Sequence, residues 1–307
     1  MVPGAQRPAM GCAEYPGCVT APANETFPLA GRPVRRVGFG AMQLPGPGVF
    51  GPPPDREAAL GVLRRAVELG VNHIDTAQYY GPDVANELIH EALHPYPEDL
   101  VIVSKIGGKR DADGGWHPAL GPAELRPGVD DNLRSLEVDR VDVVNLRLFD
   151  EAGSSAFDEQ LDAMIAMRDD GLIGGIGLSN VSLEVFEHAV ARTQIACVQN
   201  GLNLVDRAAL PLLERCRSEG IPFVPFFPLG SAFDARKPVL EHPAVRATAQ
   251  RLSALPSQVA IAWLLALAPN TLLIPGTSSL QHLEENLAAA DLVLDDEALT
   301  SLSEASG

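Results

Sequence analysis

Short apolar runs alternate with longer amphipathic stretches along almost the whole chain, and this alternation constrains the fold more than any other feature of the sequence. Eight such runs recur roughly every 20 to 40 residues. They are residues 37–40, 72–75, 101–105, 141–146, 175–178, 196–199, 222–226 and 272–275. Most are apolar at consecutive positions, as expected for parallel strands that are covered on both faces. The pattern therefore predicts a series of βα units.

The amphipathic stretches between these runs carry signals for the start and the end of helices. Asp55 and Ser182 each precede an apolar helical pattern, and their side chains suit the N-cap position. Gly70, Gly171 and Gly220 each stand shortly before an apolar run, where a residue in the left-handed conformation commonly ends a helix. Helices are therefore expected between consecutive strands.

Eight strands with intervening helices leave two architectures, a closed (β/α)8 barrel or an open doubly wound sheet. A doubly wound dinucleotide-binding domain would carry Gly-x-Gly-x-x-Gly after an early strand. Segment 38–43 has only the first two glycines and no helix directly after it. We therefore predict an α/β fold, a (β/α)8 TIM barrel formed as one domain by residues 26–307. Residues 1–25 lack periodicity and are predicted to be a flexible leader.

The composition argues against several classes of protein. The 307 residues include 40 Asp and Glu against 23 Lys and Arg, and the formal net charge of −17 opposes binding to nucleic acid or anionic membranes. No apolar run is long enough to span a bilayer. The cysteines, at positions 12, 18, 197 and 216, lack metal-ligand spacing. We expect a cytoplasmic protein without a metal, a membrane partner or a nucleic-acid partner, and leave open whether it is a monomer or a homo-oligomer.

In a barrel the chemistry lies at the carboxyl ends of the strands. The second run ends in Asp75, Tyr80 follows it in the next loop, and the third run ends in Lys105. An ammonium beside a phenol would lower the phenol pKa, and such a phenol could protonate the alkoxide that forms when a carbonyl is reduced. The same residues are equally compatible with an ordinary ion pair beside a loop aromatic.

Further residues at strand ends match a known pattern. The chain has Asp-(four residues)-Tyr-Gly at 75–81, Lys105 after the third run, Ser-Asn at 179–180, Gln199 after the sixth run and Asn286 in the last helical stretch. With these residues the chain resembles the aldo-keto reductase family over about residues 34–289. Within the family it most resembles the pyridoxal reductases, on segments 40–44, 46–53, 71–76, 142–147 and 224–230.

The resemblance implies that Tyr80 is the general acid, tuned by the carboxylate and the ammonium. The family places a histidine at the end of the fourth strand, whereas this chain has Arg147. A guanidinium is permanently charged and its fork suits a carboxylate, a phenolate or a polarised carbonyl. Arg147 therefore either orients the substrate carbonyl or marks a specialised, even redox-neutral, biosynthetic enzyme whose pocket binds an anion. A third interpretation is an ordinary ion pair with Asp150 or Glu151.

The resemblance also implies a nicotinamide cofactor, with NADPH preferred and NADH left open. The residues expected to contact it are Gly40, Ala41, Met42, Ser179, Asn180, Gln199, Phe226, Pro228, Leu229, Gly276, Ser278, His282, Glu285 and Asn286. Ser179 and Asn180 could instead be helix caps. Gly276 and His282 stand where many relatives have a basic residue, which weakens the electrostatic case for a bound 2′-phosphate.

We therefore expect a reductase that converts a small-molecule aldehyde or ketone to an alcohol, with pyridoxal as the best single substrate. A cofactor-binding regulatory protein is an alternative from a different class. Substrate choice is expected to depend on segments 77–79 and 201–202, and Trp116 and His117 could line the mouth of the site. The basic pair at 236–237 could bind the pyrophosphate or simply be solvated.

Overall fold

A computed structural model describes residues 26–149, 154–230 and 236–305 of the chain. The predicted leader, residues 1–25, lies outside the described residues. The described strands are β1 Thr26–Leu29, β2 Arg32–Arg35, β3 Phe39–Gly40, β4 His73–Asp75, β5 Val101–Ile106, β6 Gly108–Arg110, β7 Trp116–Pro118, β8 Val141–Arg147, β9 Ile173–Ser179 and β10 Cys197–Gln199. The described helices are α1 Arg56–Glu68, α2 Val84–Leu93, α3 Pro122–Leu136, α4 Ser154–Asp169, α5 Leu183–Arg192, α6 Leu210–Ser218, α7 Arg236–Leu240, α8 Pro243–Leu252, α9 Pro256–Leu267, α10 Leu280–Ala288 and α11 Asp296–Glu304.

Six strands form one curled parallel sheet, in the order β3, β4, β5, β8, β9, β10. Isolated parallel bridges continue the sheet beyond β10. Val198 pairs with Phe223, and Phe223 pairs with Thr271. A further bridge joins Leu273 to Val37, just before β3. The segments that follow β10 are thus linked back to the start of the sheet.

The predicted strands at 222–226 and 272–275 are present only as isolated bridges, which include one between Phe226 and Gly201, and the predicted first strand at 37–40 is shortened to β3. Proline explains part of the difference, because Pro222, Pro225 and Pro275 have no N–H to donate to a ladder. Two antiparallel hairpins, β1–β2 and β6–β7, are present that the sequence pattern did not predict. The α/β class and the parallel order of the six paired strands agree with the prediction.

The β1–β2 hairpin covers the end of the sheet at which the strands begin. Its Leu29 and Val34 are fully buried and belong to the same apolar cluster as Val101, the first residue of β5. Asn72, which precedes β4, accepts a hydrogen bond from the Arg35 backbone N–H at 2.9 Å. Apolar side chains therefore fill this end of the curl and leave the opposite end for polar groups.

The helix signals in the sequence are confirmed. Asp55 and Ser182 cap α1 and α5, and each side chain accepts a hydrogen bond from the backbone N–H three residues further on, at 2.9 and 3.2 Å. Gly70, Gly171 and Gly220 have φ values of 90°, 80° and 68°, the left-handed conformation that glycine adopts without steric cost. Within the described residues, no helix combines the length and the apolar composition needed to cross a lipid bilayer.

Side chains of the strands alternate between two cores. The larger core lies between the sheet and the helices and includes Ile74 and Ile102, whereas Val101 and Val103 belong to the smaller core inside the curl. Because side chains alternate along a strand, Lys105 continues the inner row of Val103. The inner face therefore changes from apolar to polar at the carboxyl ends of the strands.

Candidate active site

A cavity of about 500 Å³ opens where the parallel strands end. Of the predicted site residues, it is lined by Gly40, Met42, Asp75, Tyr80, Lys105, Arg147, Gln199, Phe226, Pro228, Leu229, Gly276, His282, Glu285 and Asn286. Trp116, which the sequence suggested could line the mouth of the site, also lines the cavity. The structure thus brings most of the predicted residues to one place.

A buried ion pair lies at the base of the cavity. The Lys105 ammonium contacts the Asp75 carboxylate, and their side chains are only 6% and 5% exposed. The ammonium also donates to the Thr76 carbonyl oxygen at 3.1 Å. The second carboxylate oxygen of Asp75 accepts a hydrogen bond from Gln199 Nε2 at 2.7 Å. Both charges are therefore paired and hydrogen-bonded, as buried charges must be.

Tyr80 lies against this ion pair. The Lys105 nitrogen is 5.1 Å from the centroid of the Tyr80 ring. Tyr79 and Trp116 pack edge-on against the same ring, with centroid separations of 5.4 and 6.5 Å. Tyr80 is 6% exposed, so packing on several sides fixes the orientation of its ring.

The expectation that Lys105 makes Tyr80 acidic is wrong, because the pKa of Tyr80 is raised. Burial raises the pKa of the Tyr80 hydroxyl, the Asp75 carboxylate raises it further, and the Arg147 guanidinium is the cation that lowers it. The physical reason is that burial dominates and that the Lys105 ammonium is paired with the Asp75 carboxylate, which compensates its positive charge. Tyr80 is therefore a protonated hydrogen-bond donor at neutral pH.

Arg147 extends from the end of β8 into the cavity. Its Nη1 donates to the Ser179 hydroxyl at 3.2 Å, and its guanidinium carbon is 4.8 Å from the centroid of the Phe226 ring. Among the carboxylates of the described residues, none forms an ion pair with Arg147. Asp150 and Glu151, the partners of the third interpretation, lie outside the described residues. Arg147 thus contributes a positive charge to the wall of the cavity.

Gln199 carries a polar atom that has no partner. Its amide nitrogen is used by Asp75, but its buried Oε1 accepts no hydrogen bond. A buried acceptor left in this state costs roughly 1 to 3 kcal/mol. Because Gln199 lines the cavity, an amide or hydroxyl donor of a bound molecule would satisfy it.

Two glycines bring the segments on either side of the cavity close together. A Cβ atom on Gly40 would lie 2.5 Å from the Ile274 carbonyl oxygen, and one on Gly276 would lie 2.5 Å from the Gly40 carbonyl oxygen. Any side chain at either position would therefore push the end of β3 away from segment 274–276. Glycine at both positions therefore allows the two backbone segments to approach each other this closely at the cavity wall.

The far end of the cavity is formed by the start of α10. Ser279 caps this helix, and its backbone N–H donates to the Thr277 hydroxyl at 3.0 Å. His282, Glu285 and Asn286 line this end. A helix N-terminus with nearby hydroxyl groups favours a phosphate. The side chains of the basic pair at 236–237 lie outside the described residues.

Some predicted residues do not line the cavity. Ala41 is fully buried, Ser179 is bonded to Arg147, and the Asn180 amide donates to the Leu148 carbonyl oxygen at 2.9 Å. Ser278 lies beside the lining residues, not among them. Their assignment as cofactor contacts stays a prediction. His117 is half exposed and pairs with an aspartate of its own loop at 2.6 Å.

Sequence reasoning missed several lining residues. Phe149, Phe227 and Thr277 each lie within a few residues of a predicted strand end and line the cavity. The positions just after each strand were the signal that could have found them. Of segment 77–79, only Tyr79 lines the cavity, because Gln78 turns away toward α3.

Comparison with known proteins gives consistent matches. A family model described as the aldo/keto reductase family matches residues 36–306. Pyridoxine 4-dehydrogenase of Escherichia coli is 48% identical over 284 residues, which are 91% of this chain and 98% of that protein. An uncharacterized oxidoreductase of Schizosaccharomyces pombe is 38% identical over 88% of this chain and 86% of its own length.

Solved structures agree with the sequence matches. The crystal structure of an aldo-keto reductase from Klebsiella pneumoniae in complex with NADPH is similar to this chain with a TM-score of 0.76. The two share 26% identity, and the match covers 91% of this chain and 94% of that one.

Proposed function

Because the chain belongs to the aldo/keto reductase family and is an oxidoreductase of that family, we propose that it reduces an aldehyde to an alcohol with NADPH as the reductant. The observation that carries this proposal is the convergence of Asp75, Lys105, Tyr80 and Gln199 on one cavity. A paired ammonium and carboxylate beside a buried phenol form the proton-donating part of a carbonyl reductase. The bound nicotinamide would supply the reducing electron pair.

The cavity fits such a cofactor on features of this chain. The partnerless Gln199 Oε1 is an acceptor suited to the carboxamide N–H of a nicotinamide. The Phe226 ring lines the same region and offers a face for offset stacking. The start of α10 would hold a phosphate. The NADPH complex of the Klebsiella enzyme supports NADPH over NADH.

Tyr80 would donate its proton to the oxygen of the carbonyl as negative charge develops there. Because burial raises its pKa, the hydroxyl stays protonated until the substrate oxygen becomes the stronger base. The phenolate that remains would be stabilised by Arg147, whose positive charge lowers the Tyr80 pKa. Arg147 can also donate to the carbonyl oxygen or to an anionic group next to it.

Pyridoxal is the substrate that we propose. The 48% identity to a pyridoxine 4-dehydrogenase supports it, as does the chemistry of the cavity. Tyr79, Trp116, Phe149 and Phe226 give the cavity aromatic sides that suit a flat ring. We also infer that segments 222–226 and 272–275 act as the seventh and eighth strands of a closed barrel, because their bridges link β10 back to β3.

The test is to mix the purified protein with NADPH and pyridoxal and to follow the absorbance of the reduced cofactor. Tyr80→Phe should lower kcat roughly 1,000-fold, the range expected for loss of a general acid, while NADPH binding stays unchanged. Tyr96→Phe is the matched control, since the Tyr96 hydroxyl donates to the Leu136 carbonyl oxygen outside the cavity. Its kcat should equal that of the wild type.

Turnover that survives in Tyr80→Phe would remove Tyr80 as the acid. Turnover of other aldehydes or ketones but not of pyridoxal would overturn the substrate alone. No oxidation of NADPH with any of these substrates would overturn the proposed reductase function and favour a redox-neutral or regulatory protein.

A further inference from the structure

A connected set of polar side chains lies behind the site, between the outer face of the sheet and helices α2 and α3. Its members are Thr76, Gln78, Asn86, Ser104, Asn132 and Ser135, and we call this set the Asn132 network. All six are buried, and none lines the cavity. The network therefore needs an explanation other than contact with substrate or cofactor.

Asn132, on α3, is the centre of the network. Its Oδ1 accepts hydrogen bonds from the Asn86 amide at 3.0 Å and from the Ser104 hydroxyl. Its Nδ2 donates to Gln78 Oε1 at 3.3 Å and to the Gly128 carbonyl oxygen at 2.8 Å. Asn132 thus uses both lone pairs and both protons of its amide, the full capacity of this side chain.

The other members extend the network to the loop that carries Tyr80. The Thr76 hydroxyl donates to Asn86 Oδ1 at 2.8 Å, and the Gln78 amide donates to the Gly108 carbonyl oxygen at 3.3 Å. The Asn86 amide also donates to the Ser135 hydroxyl at 2.9 Å. Through these contacts α2 and α3 hold two residues of the loop after β4.

The same contacts reach the ion pair. Ser104 directly precedes Lys105, so its outward side chain bonds to Asn132 while the next side chain points inward. The Thr76 carbonyl oxygen accepts the Lys105 ammonium at 3.1 Å, and Gln78 is two residues before Tyr80. Side-chain hydrogen bonds of Thr76, Gln78 and Ser104 therefore hold the backbone that places Tyr80 and Lys105.

We propose that Asn132 is a positioning residue for the reaction: it fixes the loop that carries Tyr80 and the strand that carries Lys105 without touching substrate or cofactor. This inference rests on the proposed reductase function. A fully satisfied buried network rigidifies the segments that it connects. Catalysis by oriented groups is sensitive to such placement, because a displacement of about 1 Å can cost on the order of 100-fold in rate.

The test compares Asn132→Ala with the wild type in NADPH-dependent pyridoxal reduction. We expect kcat to fall roughly 30-fold, while KM for pyridoxal and Kd for NADPH change less than about three-fold. The stoichiometry of NADPH binding gives the folded, cofactor-competent fraction, so that kcat is expressed per competent molecule. A residue that only stabilises the fold would leave this corrected kcat unchanged.

Asn270→Ala is the matched control. Asn270 is equally buried, and its amide donates to the Ile221 carbonyl oxygen at 2.8 Å, away from the loop after β4. Its removal should lower stability but leave the corrected kcat at the wild-type value. If Asn132→Ala does not fold, Gln78→Met takes its place, with roughly a ten-fold lower kcat expected because one loop contact is lost.

The outcomes separate this inference from the function on which it rests. A wild type that does not reduce any aldehyde overturns the proposed function and the role of Asn132 with it. A wild type that turns over, with a corrected kcat in Asn132→Ala or its Gln78→Met substitute equal to that of the wild type, overturns the positioning role alone. An equal loss in Asn270→Ala would also overturn it, since the effect would then be that of any buried asparagine.

Discussion

The two faces of the parallel sheet both bury polar side chains, but they differ in how completely those side chains are hydrogen-bonded. On the outer face, the Asn132 network leaves no buried side-chain atom of its described members without a partner. On the inner face, Gln199 Oε1, Asn145 Nδ2 and both ring nitrogens of His73 make no hydrogen bond of normal geometry. The Asn132 network on the outer face is saturated, whereas the polar groups of the inner face are not.

This difference in hydrogen bonding indicates different roles for the two faces, support on the outer face and ligand binding on the inner face. A saturated network has no capacity left for a ligand and can only support its neighbours. Unsatisfied buried atoms cost free energy, and such cost is commonly kept where function requires it. Gln199 fits this rule because it lines the cavity, whereas His73 lies deeper, against Gly38, where a Cβ would come within 2.3 Å of the imidazole ring.

The largest effect should come from breaking the ion pair of the inner face. Lys105→Met leaves the Asp75 carboxylate buried without its cation, and we expect the free energy of unfolding to fall by about 3 to 5 kcal/mol. Urea unfolding at pH 7 measures it. The double variant Lys105→Met/Asp75→Asn should recover most of the loss, because no unpaired buried charge remains.

A single Lys105→Met loss below about 1 kcal/mol would contradict this comparison, since the pair would then behave like an exposed one.

The next effect concerns the buried imidazole. Burial lowers the pKa of His73 from 6.5 to about 4, against a small opposing contribution from the Leu273 backbone. Between these two values the unfolded chain binds a proton that the folded protein excludes. His73 should therefore lower the free energy of unfolding by about 3 kcal/mol as the pH drops from 6.5 to 4, and should contribute no further loss below that.

Unfolding of His73→Leu across the same pH range is the measurement. Its stability should depend less on pH than that of the wild type, whatever its absolute value. Parallel curves for wild type and His73→Leu would show that His73 is protonated equally in the folded and unfolded states.

The smallest effect tests whether the partnerless acceptor serves the cofactor. Gln199→Met removes this acceptor together with the Nε2 donor to Asp75, and we expect NADPH to bind roughly ten-fold more weakly, about one hydrogen bond to the cofactor. Titration by fluorescence or calorimetry gives the Kd. Gln160→Met is the control, because Gln160 also has a buried Oε1 without a partner but lies on α4 outside the cavity. An equal Kd for Gln199→Met and the wild type would show that Gln199 Oε1 does not contribute to cofactor binding.

Much of the site was predictable because it consists of residues at the ends of apolar runs. Asp75, Lys105 and Gln199 each end such a run, and their convergence follows from the parallel order of strands. The family resemblance predicted from these residues is confirmed by the match over residues 36–306. The roles assigned to single residues remain predictions.

The Asn132 network was not predictable in the same way. Asn86 and Asn132 lie on different helices, 46 residues apart, and nothing in the sequence near either one indicates the other. The acidity of Tyr80 was predicted with the wrong sign for a related reason. The sequence places an ammonium, a carboxylate and a phenol at neighbouring strand ends, but it does not show that all three are buried, so that desolvation and the carboxylate raise the phenol pKa.

The sequence by itself determined the repeated βα order, the helix caps and the set of polar residues that the strand ends would present, because these depend on periodicity and local chemistry. Only the tertiary structure decided which of those polar groups have a hydrogen-bond or ion-pair partner within the protein and which have none. Hydrogen bonding and desolvation depend on neighbours brought together from distant parts of the chain, and their free energies are fixed only once the surrounding side chains have excluded water.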